Sequence, residues 1–165
     1  MVKELTHFIG GKHVKGTSGR FTDAYEPMTG EVISRVPLAS REELRAAVEN
    51  AKAAQPAWAA TNPQRRARVL MKFVDLLNQN MDSLAELLAR EHGKTIPDAK
   101  GDIQRGLDVI EYSLGVPGLM KGEFTDGAGP GIDIYSLRQP LGVVAGITPF
   151  NFPAMIPLWK LAPAI

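Results

Sequence analysis

The chain has 165 residues, 44% of them hydrophobic and 22% charged, which gives room for a packed core and argues against disorder. Nineteen Lys and Arg against 18 Asp and Glu leave a net charge of +1, which argues against a nucleic-acid binder working through a basic face. There are no cysteines, so this chain offers no disulfide framework, no thiolate zinc site and no cysteine nucleophile.

The first eleven residues, Met1 to Gly11, contain no apolar run followed by a small-residue cleavage site. No signal peptide is read there, and a cytoplasmic location is expected. From about His7 to Pro37 the chain reads as β. Phe8-Ile9-Gly10-Gly11-Lys12-His13-Val14 has two β-prone pieces around a Gly-Gly turn, a hairpin signal. Phe21 to Glu26 and Glu31 to Val36 flank Pro27-Met28-Thr29-Gly30, whose Pro and Gly suit a tight turn.

From Ser40 to about Leu119 the periodicity changes to helical. Ser40 with Glu43 three residues on is a capping box, followed by an apolar stripe of Leu44, Ala47, Val48 and Ala51. Asn62-Pro63 pairs an N-cap with proline at the first helical position, ahead of Ala67, Leu70, Met71, Val74 and Leu77. Leu84, Leu87 and Leu88 mark a third helix that Gly93 can end. Ile103, Leu107, Ile110 and Leu114 mark a fourth, starting soon after Pro97. All four stripes are expected to pack into a core.

Gly127-Ala128-Gly129-Pro130-Gly131 is a turn-rich break. Ile132 to Arg138 then alternates as a half-buried or edge strand would, until Pro140. Leu141 to Ile147 is a continuous apolar run that suits a strand buried on both faces. The twenty residues from Pro140 to Trp159 carry no charge, which is the length of a membrane span. However, Pro149, Pro153 and Pro157 would each cost roughly 3 kcal/mol in a helix interior, so a buried strand followed by a proline-rich turn is expected instead.

Little in this pattern announces chemistry. His7, His13 and His92 have no metal-ligand spacing, and the carboxylates lie beside Lys or Arg as on solvated helix faces. There is no G-x-S-x-G, no P-loop and no G-x-G-x-x-G. What remains is Thr148-Pro149-Phe150-Asn151-Phe152-Pro153, at the C-terminal end of the expected strand, where open α/β sheets place their ligands. The amide of Asn151 can face a developing negative charge, or it can close an Asx turn on its own backbone. Arg105 is similarly open. It lies about 200° from Ile103 on the helical wheel, opposite the apolar stripe, with Asp102 and Asp108 at i−3 and i+3 as partners along its own helix.

Gly146 to Lys160, GITPFNFPAMIPLWK, resembles the aldehyde dehydrogenase superfamily. FIGGKHV, EPMTGEVI, the helix with Trp58, RRARVL, REHGKT and LRQPLGVVAGITPFNFP match it in order over nearly the whole chain. PFNFPAMIPLW with QRGLDVIEYSLGVPGLMKGE is most similar to the methylmalonate-semialdehyde dehydrogenase branch, with other semialdehyde dehydrogenases as rivals.

The resemblance implies an α/β fold in three parts. Residues 1–124 would be the N-terminal part of a Rossmann-type NAD-binding domain, 125–139 an oligomerisation arm strand, and 140–165 the first strand and turn of the dinucleotide-binding sheet. It implies an NAD-dependent, CoA-acylating oxidoreductase acting on a small semialdehyde, assembled as a homo-oligomer (dimer or tetramer), with no nucleic-acid or membrane partner and no metal. Ile147, Thr148, Pro149 and Phe150 would lie on the nicotinamide side of NAD. Asn151 would help bind the oxyanion of the thiohemiacetal, and Arg105 would hold the substrate carboxylate. The family's cysteine nucleophile and base glutamate would lie beyond Ile165, so the 165 residues read as an N-terminal portion that is inactive alone. The competing readings are a non-catalytic nucleotide- or partner-binding module and a membrane-associated segment.

Overall fold

The computed structural model describes residues 2–165. Strand β1 (Lys3–Glu4) runs parallel to β5 (Val32–Pro37), which pairs antiparallel with β4 (Phe21–Tyr25), in the order β1-β5-β4. Between β1 and β4, strands β2 (His7–Ile9) and β3 (Lys12–Val14) form the expected hairpin. Gly10 and Gly11 turn it at φ of 59° and 75°, a conformation that costs a side-chain-bearing residue most. The β4–β5 turn closes through the Gly30 N–H, which donates to the Glu26 carbonyl at 2.7 Å.

Helix α1 (Arg41–Ala59) begins at the capping box read from the sequence. Ser40 Oγ accepts the Glu43 N–H at 3.2 Å, and Glu43 Oε2 accepts the Ser40 N–H at 2.7 Å. Helices α2 (Pro63–Gln79), α3 (Met81–His92), α4 (Ile96–Ser113) and the short α5 (Val116–Leu119) follow. Asn62 caps α2 with Pro63 in its first turn, and Gly93 ends α3 at φ 83°. Helix α4 starts at Ile96 under a Thr95 cap, so Pro97 lies inside its first turn, where the missing N–H has no intrahelical partner to lose.

The core is the meeting of α2, α3, α4 and α6 (Met155–Ala164). Leu70, Ala85, Leu88, Ala99, Ile103, Leu107, Ile110, Leu158 and Ala162 are buried together, with Ile110 wholly shielded from solvent. The architecture is mixed α/β, with the sheet and hairpins ahead of the helices in the chain.

Four expectations are corrected. Helix α1 buries none of its residues: Leu44 and Val48 are exposed, because nothing among the described residues covers that face. The alternating segment is a strand only over β7 (Ile132–Tyr135), and it pairs with β6 (Phe124–Gly129), which takes in part of the glycine-rich break. Both strands are almost wholly exposed, not half-buried.

Leu141 to Ile147 is not a strand. It runs without regular structure, with Leu141 94% and Ile147 89% exposed. A strand is held by ladder hydrogen bonds to neighbours, and no described strand pairs with this segment. Finally, part of the expected proline-rich turn is helix. Pro157 lies in the first turn of α6, where its missing donor is tolerated. No helix among the described residues is long and apolar enough to cross a membrane.

Candidate functional site

The residues singled out by the sequence gather where α4 meets the turn 148–154 and the start of α6. Helix α4 presents Ala99, Asp102, Ile103, Gly106, Leu107 and Ile110 as one buried face at three- and four-residue steps. Gly106 lets α6 lie close. A Cβ built there would collide with the end of the Leu158 side chain and stand 3.1 Å from Leu158 Cβ. That approach brings the residues before α6 onto the N-terminal half of α4.

Two fastenings cross the junction. Asp102, with no side-chain exposure, accepts the Met155 backbone N–H on Oδ1 at 2.7 Å and the Lys94 Nζ on Oδ2 at 2.9 Å. The Trp159 indole N–H donates to the Arg105 carbonyl at 3.0 Å. Lys94 Nζ also stands 4.1 Å from the centroid of the Phe152 ring, in cation–π range. Next along the turn, Phe150 lies against the His92 ring with centroids 5.6 Å apart. The Lys160 ammonium donates to the Ile147 carbonyl and ties the segment entering the turn to α6.

Arg105 is exposed, and the partners that the sequence offered it are taken by others. Asp102 is held by Lys94 and Met155, and Asp108 accepts the Gln104 side-chain amide at 2.9 Å. Arg105 instead lines a cleft of about 330 Å³ together with Lys94, Pro97, Asp98, Gly101, Asp102 and Phe152. Phe152 is the neighbour of Asn151, which is exposed. The structure thus brings Arg105 and the Asn151 turn to one junction. Ile147, Thr148, Pro149 and Phe150 lead into it as an exposed strip without charge.

Sequence reasoning missed Lys94, Asp102 and Trp159, and took Phe152 only as part of the candidate turn. Asp102 was counted among solvated carboxylates, yet it sits in the stride Ala99–Asp102–Gly106 on the buried face. That stride was the available signal, since a carboxylate on a buried stripe must find partners. Taking one partner from such a pair costs about 3–5 kcal/mol. Among the described residues no group of three or more His, Cys, Asp or Glu could hold a metal ion.

The family model for the aldehyde dehydrogenase family matches residues 13–165. The malonate-semialdehyde dehydrogenase of Pseudomonas aeruginosa is 49% identical over 161 residues, which are 98% of this chain and 32% of that protein. The human mitochondrial acylating methylmalonate-semialdehyde/malonate-semialdehyde dehydrogenase is 48% identical over 158 residues, 96% of this chain and 30% of that protein. A crystal structure of a Sinorhizobium meliloti 1021 protein assigned as a methylmalonate-semialdehyde dehydrogenase, complexed with NAD, superposes with a TM-score of 0.96 at 69% identity. It is matched over 99% of this chain and 33% of its own. The chain therefore spans about a third of the length of these relatives. With the family model matched from residue 13 to residue 165, the chain belongs to the aldehyde dehydrogenase family.

Proposed function

We propose that this chain is the N-terminal portion of an NAD-dependent, CoA-acylating dehydrogenase. The reaction would convert methylmalonate or malonate semialdehyde with CoA to propanoyl-CoA or acetyl-CoA and CO₂. Residues 1–124 would belong to the NAD-binding domain, 125–139 to an oligomerisation arm, and 140–165 to the opening of the dinucleotide-binding sheet. The observation that carries the reading is the cleft that Arg105 lines together with Phe152, the residue after Asn151. A carboxylate and an aldehyde on one short substrate need such a pair of groups close together.

Arg105 would bind the substrate carboxylate. A guanidinium offers a two-pronged donor fork and stays charged at any working pH. Asn151 would donate to the oxyanion that forms when a thiolate adds to the aldehyde carbon. That thiolate lies outside these residues, which contain no Cys. Ile147, Thr148, Pro149 and Phe150 suit a flat, apolar-faced ring: Ile147 and Phe150 are exposed apolar surfaces, and no charge intervenes. NAD bound there would supply the hydride acceptor. Exposed Phe124, Ile132, Ile134 and Tyr135 on the β6–β7 hairpin support assembly of a homo-oligomer (dimer or tetramer).

The test uses the full-length protein. NADH formation from the semialdehyde should require CoA and should yield an acyl-CoA. A free acid formed without CoA would place the protein in another semialdehyde dehydrogenase branch, and no turnover with any aldehyde would leave a non-catalytic module. A charge-assisted bond contributes about 1.5–3 kcal/mol, and each 1.36 kcal/mol is tenfold in rate. Arg105→Leu should therefore lower kcat/KM for the carboxylated substrate roughly 10- to 150-fold, while propanal is barely affected. Equal loss on both substrates would mean a folding defect, and loss on neither would return Arg105 to the surface.

A further inference from the structure

We infer that the pair of buried Asp102 and half-buried Lys94 is a positioning device for Asn151, holding the turn 148–154 at a set height over α4. The inference rests on the dehydrogenase reading above, which gives Asn151 its task. Its structural basis is that both ends of the pair act on residues that closely follow Asn151. The ammonium of Lys94 seats the ring of Phe152, the next residue, at 4.1 Å. One oxygen of Asp102 holds the backbone of Met155, the first residue of α6, at 2.7 Å. The other oxygen joins the two through Lys94 at 2.9 Å.

Helix α6 has no cap of its own. Its N-cap residue is Ala154, with no side-chain hydrogen bond to the first turn. The first N–H groups of a helix have no partner within it and favour negative charge beside them. Asp102 supplies both acceptor and charge from a different helix. The start of α6 is therefore referenced to α4, the same helix that carries Arg105. Trp159 repeats the reference one turn later, on the Arg105 carbonyl itself. Pro153 stiffens the interval between Phe152 and Met155, and Pro149 the approach to Asn151, so that fixing Phe152 and Met155 also restricts Asn151.

Stability alone does not call for this arrangement. A buried ion pair can often be replaced by apolar side chains of similar volume without loss of stability. An apolar pair would fill the space but could neither accept the Met155 N–H nor place a cation over Phe152. Displacing a reacting group's partner by about 1 Å can cost roughly 100-fold in rate.

The decisive variant in the full-length enzyme is Lys94→Met/Asp102→Leu, which removes both charges at once. We expect Tm within a few degrees of the parent and kcat about 10- to 100-fold lower on both carboxylated and neutral aldehydes. One positive and one negative charge leave the cleft together, so the loss on the carboxylated substrate should stay within about threefold of the loss on propanal. Lys94→Arg, which keeps a cation over Phe152, should hold kcat within about threefold of the parent. A readout independent of activity is hydrogen exchange. The peptide spanning residues 148–156 should exchange at least about tenfold faster in the double variant, with α2 and α3 unchanged. If the double variant does not fold, Lys94→Met is read by the same exchange and kcat measurements. Parental exchange over 148–156, or kcat within about twofold of the parent, would overturn the inference. Faster exchange there in a protein whose parent oxidises no aldehyde would overturn the dehydrogenase reading instead.

Discussion

Asn151 and Arg105 show how the meaning of a single side chain depends on its neighbours. In the linear chain each had an ordinary explanation, an Asx turn for one and an ion pair along the helix for the other. The structure removes the second, because Asp102 and Asp108 are engaged elsewhere and Arg105 faces a cleft. Loss of one oxyanion donor typically costs roughly 10²–10³ in turnover. In the proposed full-length enzyme, with Asn151 as oxyanion donor, Asn151→Ala should therefore lower kcat by that factor while NAD binding, followed by fluorescence titration, changes little. Turnover within about threefold of the parent would make the turn structural only. The turn Thr148–Pro153 stood out from its place after the apolar run, but the roles given to Arg105, Asn151 and the strip 147–150 came only through family resemblance. The stride of Asp102 along the buried face of α4 showed that it needed partners, but not which, since Lys94 and Met155 lie eight and 53 residues away along the chain.

At the scale of elements, local chemistry was the readable part. The Ser40 box, the Asn62-Pro63 start, the Gly93 stop and the Gly-Gly hairpin act over a few residues, and all four stand in the structure. What depended on distant partners was misread: the open face of α1, the exposed β6–β7 hairpin and the unpaired run 141–147. The Ser40 box also gives a pH prediction. The Glu43 carboxylate accepts the Ser40 N–H at 2.7 Å and the Thr17 N–H at 2.6 Å, and these backbone donors hold its pKa below the usual range. A depressed carboxylate stabilises the fold above its unfolded value and loses that contribution as pH falls through the folded value. The difference in Tm between the full-length protein and its Glu43→Gln variant should be greatest above about pH 5 and shrink below about pH 4. A difference independent of pH would show that the charge on Glu43 has no role in the box.

The whole chain divides into a part that satisfies itself and a part that does not. The α2–α3–α4–α6 cluster has a closed interior, anchored by side chains such as Ile103, Leu107 and Ile110 that solvent hardly reaches. The segment from Phe124 to Phe150 has none. Phe124, Ile132, Ile134, Tyr135, Leu137, Leu141, Val144, Ile147 and Phe150 are all exposed there. Singly exposed apolar residues are common on soluble proteins, but a run of this length from one stretch is the mark of a surface meant to be covered. In the proposed enzyme a partner subunit would cover the arm, and the remaining strands of the dinucleotide-binding sheet would cover the run after it. The 165 residues expressed alone should therefore bind ANS strongly and associate with rising concentration, read by dye fluorescence and by light scattering. The helical cluster should nevertheless keep its exchange protection, because its contacts lie within these residues. A monodisperse monomer that melts cooperatively and binds no dye would mean that the Phe124–Phe150 stretch buries itself, and would remove the structural argument for its proposed partners.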